Sequence, residues 1–222
     1  MVICNSHNFI FLTIPRCAST SLSAFFVTNF CTAENDQWMP IRQDMEQRNT
    51  NDEIIEKYKV DFEYHHLTLQ ELVDNNLITL DQATSMTKIV VLREPLARQL
   101  SLYLLLTNQN RQNQRAPKIF RREFKKGYHI TGSNSKKKQM DFPKLNGVIA
   151  PNTVFWNFNN LEAEIAAFCA DKPPIEHSLN MWNTETLAGD TYTVDEYYDE
   201  TTRQAVLSYY AEDVEAYANV LG

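Results

Sequence analysis

Apolar positions along the chain fall into short blocks whose period switches between that of a strand and that of a helix. Phe9-Ile-Phe-Leu-Thr-Ile14 is an unbroken run of aromatic and aliphatic residues that stops at Pro15, which predicts a buried strand. From Ser21 to Phe30 the apolar residues Leu22, Phe25, Phe26 and Phe30 recur at helical spacing, so a helix follows the polar turn. Thr32 to Asn51 is polar and weakly patterned; Asp52–Tyr58 reads as a short helix and Val60–His66 as a short extended segment. Thr68-Leu-Gln-Glu71 is a capping box that opens a helix through about Asn75, and Thr79 starts another helical stretch.

Lys88-Ile-Val-Val-Leu92 is the clearest buried strand in the chain. It runs into Arg93-Glu-Pro95, where proline suits a first helical turn, and Leu96, Leu100, Tyr103 and Leu104 continue at helical spacing. A third strand is predicted over Thr153–Phe158 and a helix over Leu161–Cys169. Thr193-Val-Asp-Glu196 forms another capping box, and Thr202–Leu221 reads as one amphipathic helix bearing Val206, Tyr209, Tyr210, Val214 and Tyr217. Strands alternating with helices predict an α/β fold, a three-layer α/β/α arrangement around a central parallel sheet. Ligands of such sheets sit at the carboxyl ends of the strands. Both Pro15–Thr20 and Arg93–Pro95 leave such ends, which predicts one shared site.

The length, 222 residues, suits a single domain over 1–222 with a basic, loop-rich insertion at about 109–150. Apolar residues make up 43% and charged residues 22%, an ordinary globular composition, and five glycines leave no room for a glycine-rich linker. Met1–His7 has no basic leader, and Phe9–Ile14 is too short to span a bilayer, so no membrane association is expected. Cys4, Cys17, Cys31 and Cys169 show neither a CxxC pair nor a metal-ligand spacing, so reduced thiols, a cytoplasmic location and no metal are the expectation. Of the 21 basic and 28 acidic residues, ten and one lie between Arg111 and Lys138, leaving 11 and 27, or −16, elsewhere. A segment so basic in an acidic chain either meets an anionic partner or is a solvated loop. Aromatic residues do not interleave with it, so nucleic acid is not the expected partner.

Arg16-Cys-Ala-Ser-Thr-Ser21 places small residues, three hydroxyls and one cation at a helix start, where backbone N–H groups and the helix dipole favour a phosphate or sulfate. An ordinary Ser/Thr N-cap is the structural alternative. The loop has no GxxxxGK[ST] pattern, which argues against an Mg-ATP or Mg-GTP machine. Arg93 emerges directly from a buried strand, and Ser101, about two turns into the next helix, can reach an anion held by Arg93. The plainer alternative is Arg93 paired with a carboxylate and Ser101 as a neutral helix residue.

Ile14-Pro-Arg-Cys-Ala-Ser-Thr-Ser-Leu22 resembles the 5′-phosphosulfate loop of sulfotransferases, and the segment Val90–Tyr103 is similar to that family's 3′-phosphate motif, with Arg93, Pro95, Arg98, Ser101 and Tyr103 at the family offsets. Tyr210-Ala-Glu-Asp213 matches the family's C-terminal tail. The resemblance implies a P-loop nucleotide-kinase-like fold and 3′-phosphoadenosine-5′-phosphosulfate as the donor. Arg16, Cys17, Ala18, Ser19, Thr20 and Ser21 would hold the 5′-phosphosulfate, and Arg93 and Ser101 the 3′-phosphate. Arg16 stands where most members carry lysine, although arginine occurs there in branches such as the tyrosylprotein sulfotransferases. Arginine does not release its proton near neutral pH, so its catalytic role is electrostatic.

Sulfuryl transfer rests on positioning and charge stabilisation, and cationic side chains can cover the leaving group without a metal. The acceptor hydroxyl must lose a proton. His65 and His66 are the candidate bases; strand alternation turns one of them to the site, with His66 the first choice and Glu63 or Glu71 as fallbacks. Solvent-facing or helix-capping roles for both histidines are the alternative. The expected acceptor is a carbohydrate or other small molecule, anionic if the basic segment 111–138 receives it; the segment can equally cover the nucleotide, since Lys136–Lys138 precede the long turn into the third strand. A donor-binding protein without turnover and a small nucleotide kinase with a degenerate loop are the competing classes.

Overall fold

The computed structural model describes residues 1–31, 36–38, 66–108, 116–125, 137–179 and 193–221. The chain opens with β1 (Val2–Cys4), turns through Asn5–Asn8 and returns as β2 (Phe9–Leu12), every residue of both strands being buried. β1 escaped the sequence pattern because three residues are too few to show a period. After the anion-loop candidate comes α1 (Ser19–Phe30), then β3 (Gln37–Trp38). Helices α2 (Leu69–Asp74) and α3 (Leu80–Ser85) lead into β4 (Thr87–Leu92) and α4 (Pro95–Asn108).

Next come α5 (Pro117–Lys125), a 3₁₀ turn over Gln139–Asp141 and a hairpin of β5 (Lys144–Leu145) with β6 (Val148–Ile149). β7 (Thr153–Asn157), a 3₁₀ turn over Phe158–Asn160 and α6 (Leu161–Cys169) follow. The chain finishes with α7 (Val194–Tyr197), α8 (Glu200–Tyr209) and α9 (Ala211–Leu221).

One sheet holds the strands in the order β3-β1-β2-β4-β7. Its centre is parallel, with Leu12 opposite Val90 and Leu92 opposite Asn157. β1 pairs antiparallel with β2, and β3 antiparallel with β1, so the sheet is mixed at one edge rather than parallel throughout. From Lys88 to Leu92, β4 is buried without alternation, as a strand covered on both faces must be.

Phe26 of α1 packs its ring 5.0 Å from Phe9, 5.1 Å from Phe11 and 5.8 Å from Trp156, joining the helix to the sheet. A second cluster lies around α4, where Tyr103 meets Phe120 edge-on at 4.9 Å with Tyr197 and Tyr198 beside it. α5 explains why the basic insertion is not all loop: Phe120 and Phe124, one turn apart, face this cluster while Arg122 faces solvent.

The predicted capping boxes at Thr68 and Thr79 are formed, with Glu71 and Gln82 bonding back to the capping residue at 2.7 and 2.9 Å. The long C-terminal helix predicted over Thr202–Leu221 is instead two helices. Asp199 caps the first, and the break falls at Tyr210, which leaves helical geometry while its hydroxyl donates to buried Gln99 at 3.0 Å. The predicted Asp52–Tyr58 helix, most of Thr32–Asn51 and Val60–His66, Glu63, His65, His129 and residues 111–115 and 126–136 of the basic segment lie outside the described residues.

Candidate active site

β2 and β4 are parallel neighbours, so the segments that follow them emerge side by side. The first, Pro15–Ala18, folds tightly: Cys17 donates its N–H to Ile14 at 3.2 Å, and Arg16 and Ala18 both take left-handed backbone angles, φ 66° and 55°. The other non-glycine residues of this kind among the described residues are all asparagine, which adopts it readily. For arginine and alanine the conformation costs roughly 1–2 kcal/mol each. Strain of that size persists only where neighbours fix it, and alternating left- and right-handed residues turn successive N–H groups into an anion-binding nest.

The neighbours are the first turns of α4 and Arg93, two residues before it. Arg93 donates from Nη1 to the Arg16 carbonyl at 2.9 Å, and Arg98 donates from Nε to the Pro15 carbonyl at 3.2 Å. Arg16 in turn donates from Nε to Ser101 Oγ at 2.8 Å. The two predicted phosphate turns, 85 residues apart at this contact, are thus physically joined. Among the described residues Arg93 bonds a carbonyl rather than forming the carboxylate pair of the plainer alternative, and its guanidinium lies 4.4 Å over the Phe158 ring.

α1 begins without an ordinary cap. Its N-cap is Ala18, whose side chain makes no capping bond, and the first turn contains no acidic residue. The Ser/Thr N-cap alternative is therefore not realised; Ser19, Thr20 and Ser21 lie inside the first turn, Ser19 and Ser21 buried and Thr20 half-buried. The N–H groups of the first turn and the positive end of the helix dipole lie at the same strand end as the arginines. Burial lowers the pKa of Arg16, with the adjacent Arg93 charge adding to it, and burial also lowers that of Arg93. Gathering cations in a desolvated corner is unfavourable unless an anion joins them. Cys17 contributes backbone only: its thiol is buried, and burial pushes it up to about 11, so it is a neutral donor to Gln139 at 3.3 Å rather than a nucleophile.

Behind the arginines lies a bracing layer. The Gln139 side chain accepts from the Arg93 N–H at 2.9 Å and donates to the Arg93 carbonyl at 2.8 Å, extending the edge of β4 as a strand residue would. Asp213 holds the 3₁₀ turn that carries Gln139, accepting from the N–H groups of Gln139 and Met140 at 2.8 and 2.9 Å. Arg98 is buried, donates to the Lys137 carbonyl at 3.2 Å and lies 5.7 Å from the Tyr210 ring centre. The motif residues Arg98, Tyr210 and Asp213 therefore brace the two turns from behind. Gln139 carries no signal in the sequence; only the fold brings it to Arg93.

His66 sits at the entrance of the loop. Its Nδ1 is 2.7 Å from the Thr13 carbonyl, which can only accept, so Nδ1 carries the proton and the ring's lone pair is on Nε2. Burial pulls its pKa down to about 4, opposed only in part by the bond to Thr13, so the ring is neutral at pH 7. Glu71 is engaged otherwise: Lys137 donates to both of its oxygens at 2.8 and 2.6 Å and to the His66 carbonyl at 3.2 Å. Burial raises the Glu71 pKa, but the bonds from Lys137 and Thr68 outweigh it and the net shift is downward. Lys138 lies 5.6 Å from the Tyr209 ring centre. His177 lies at the far end of α1, its backbone N–H bonded to Asn29 at 3.0 Å. Among the described residues, no helix is long and apolar enough to cross a membrane.

No curated protein and no solved structure matches the chain. Residues 1–210 do match a family model, one described as "Sulfotransferase family". That match takes in both strand-end turns, Gln139 and Tyr210, and has the mixed α/β architecture of a P-loop-like fold at its centre. By its sequence over nearly its whole length, the chain belongs to the sulfotransferase family, whose shared chemistry is sulfuryl transfer.

Proposed function

We propose that the protein transfers the sulfuryl group of 3′-phosphoadenosine-5′-phosphosulfate to a hydroxyl of a carbohydrate or other small acceptor. The observation that carries this reading is the junction of the two turns: Arg16 bonded to Ser101 at 2.8 Å and Arg93 bonded to the Arg16 carbonyl at 2.9 Å, beside the start of α1, whose N-cap is an alanine. The N–H groups of the loop and of the first turn of α1, with Arg16, receive the 5′-phosphosulfate, and Arg93 and Ser101 the 3′-phosphate. A 3′,5′-bisphosphorylated nucleoside has the two anions that such a pair of subsites demands.

In the reaction, the acceptor oxygen attacks sulfur, the bond from sulfur to the 5′-phosphate oxygen breaks, and the bisphosphate leaves with the electron pair. Arg16 and the N–H groups stabilise charge on that departing phosphate. His66 Nε2 takes the acceptor proton, its other nitrogen holding the ring to Thr13. The donor's negative charge in the same corner raises the basicity that burial lowers in the unliganded protein. Within the basic segment, Lys137 is committed to Glu71 and steadies the backbone that presents His66.

The test is thermal unfolding with 3′-phosphoadenosine-5′-phosphate. The melting temperature rises for the native chain without magnesium, and Arg93→Ala removes the rise. Stabilisation by ATP that requires magnesium, with none by the bisphosphate, would instead identify a kinase-type site and overturn the proposal.

A further inference from the structure

The cysteines show no metal spacing along the chain, yet the fold brings two of them together at the end of α1 remote from the anion loop. Cys4 ends β1, opposite Phe9 at the start of β2, and Cys31 directly follows α1. Asp36, just before β3, reaches the same corner. The sulfurs of Cys4 and Cys31 and a carboxylate oxygen of Asp36 all lie within 4.8 Å of one another. Nδ1 of His7 is 3.6 Å from the Cys4 sulfur.

We propose that Cys4, Cys31, Asp36 and His7 bind one zinc ion, which clasps the C-terminal end of α1 to the antiparallel edge of the sheet. Two thiolates, an imidazole nitrogen and a carboxylate oxygen form a donor set that suits zinc in closed, four-coordinate structural sites. Bonds of about 2.3 Å to sulfur and 2.0–2.2 Å to nitrogen or oxygen, at tetrahedral angles, put neighbouring donor atoms roughly 3.3–3.8 Å apart. The Cys4–His7 separation of 3.6 Å already has that value. Cys4, Cys31 and Asp36 already offer donor atoms within 4.8 Å of one another, and His7 reaches Cys4 from the adjoining turn.

An outer layer is also in place. Ser6 donates from its N–H and its hydroxyl to the two oxygens of Asp36 at 3.0 and 2.7 Å, which orients the carboxylate as outer-sphere donors orient metal-bound carboxylates. Cys4 and Asp36 are buried, whereas Cys31 and His7 are half-buried and give the ion a path from solvent. On binding, each thiol gives up its proton to solvent, and the neutral imidazole keeps its proton on Nε2. α1, at about 1.5 Å per residue, holds this corner roughly 18 Å from the anion loop. The ion therefore has a structural role and takes no part in sulfuryl transfer.

Cobalt titration of the reduced, chelator-treated full chain tests the proposal. One cobalt per chain gives thiolate-to-metal charge-transfer absorption and the visible bands of a tetrahedral ion, and zinc displaces it. Zinc protects Cys4 and Cys31 from alkylation, as read by peptide mass spectrometry, and raises the melting temperature. Cys31→Ser abolishes the charge-transfer band, Ser6→Ala weakens zinc binding about tenfold, and Cys169→Ser changes neither. A chain with no charge-transfer band at saturating cobalt, the same band in Cys31→Ser, or no zinc-dependent change in the native chain's melting temperature overturns the site.

Discussion

Replacing Gln139 by leucine removes the clamp on Arg93 while nearly conserving side-chain volume. Gln139 is fully buried, and its amide makes both of the bonds that close the Arg93 backbone, at 2.9 and 2.8 Å, besides accepting from the Cys17 thiol at 3.3 Å. Leucine leaves the Arg93 N–H and carbonyl without those partners. At about 1–3 kcal/mol for each of the two groups left unsatisfied, and little for the weak thiol bond, the expected loss is about 2–6 kcal/mol, of which the apolar leucine side chain recovers part. With a urea slope near 2–3 kcal/mol per molar, the unfolding midpoint falls by about 1 M. The same change loosens the Arg93 guanidinium, so affinity for 3′-phosphoadenosine-5′-phosphate, measured by calorimetry, drops about tenfold or more although Gln139 itself is not expected to touch the nucleotide. A midpoint within about 0.2 M of the native one, with unchanged affinity, refutes the clamp.

Three further outcomes follow from the same network. Asp213→Asn replaces one of two acceptor oxygens with a donor facing an N–H group, so it costs about 2–4 kcal/mol in denaturant unfolding; an unchanged midpoint would remove Asp213 as the support of the 3₁₀ turn. His66→Asn keeps a donor for the Thr13 carbonyl but no base, so kcat falls about a hundredfold or more while bisphosphate affinity holds; equal loss of both would make His66 a binding residue only. Because burial lowers His66 to about 4, the unfolded chain binds a proton there between about pH 6.5 and 4 that the folded chain does not. Stability therefore falls as pH drops through that window, by up to about 3 kcal/mol, and His66→Asn flattens this limb in pH-dependent unfolding; a limb that persists unchanged assigns it to other groups.

Long-range arrangement could be read from the sequence wherever a local pattern encoded it. The apolar runs of β2 and β4, the Thr68 and Thr79 capping boxes and the helix over Leu161–Cys169 each depend on neighbours within a few residues, and each appears where expected. β1 and β3 have three and two residues and take their strand form from pairing with distant partners, so no periodicity announces them. The break at Tyr210 likewise depends on Gln99, 111 residues away. At the site, Arg16, Arg93 and Ser101 were legible because motif order along the chain mirrors the ends of two adjacent strands. Gln139 and Phe158 were not, since a lone glutamine in a basic segment and a phenylalanine after a strand acquire meaning only beside Arg93. The Cys4–Cys31 pair was hidden for the same reason: 26 intervening positions carry no ligand spacing.

On the proposed function, the two joined turns measure out a nucleoside with phosphates at both 3′ and 5′ positions. Calorimetric affinities for 3′-phosphoadenosine-5′-phosphate and for adenosine 5′-monophosphate, compared between the native chain and Ser101→Ala, test it directly. One charge-assisted hydrogen bond to the 3′-phosphate contributes about 1.5–3 kcal/mol, so the native chain prefers the bisphosphate by at least about tenfold, and Ser101→Ala narrows that preference while leaving affinity for the monophosphate nearly unchanged. Equal affinities of the native chain for the two nucleotides, or a preference that Ser101→Ala leaves intact, contradict it.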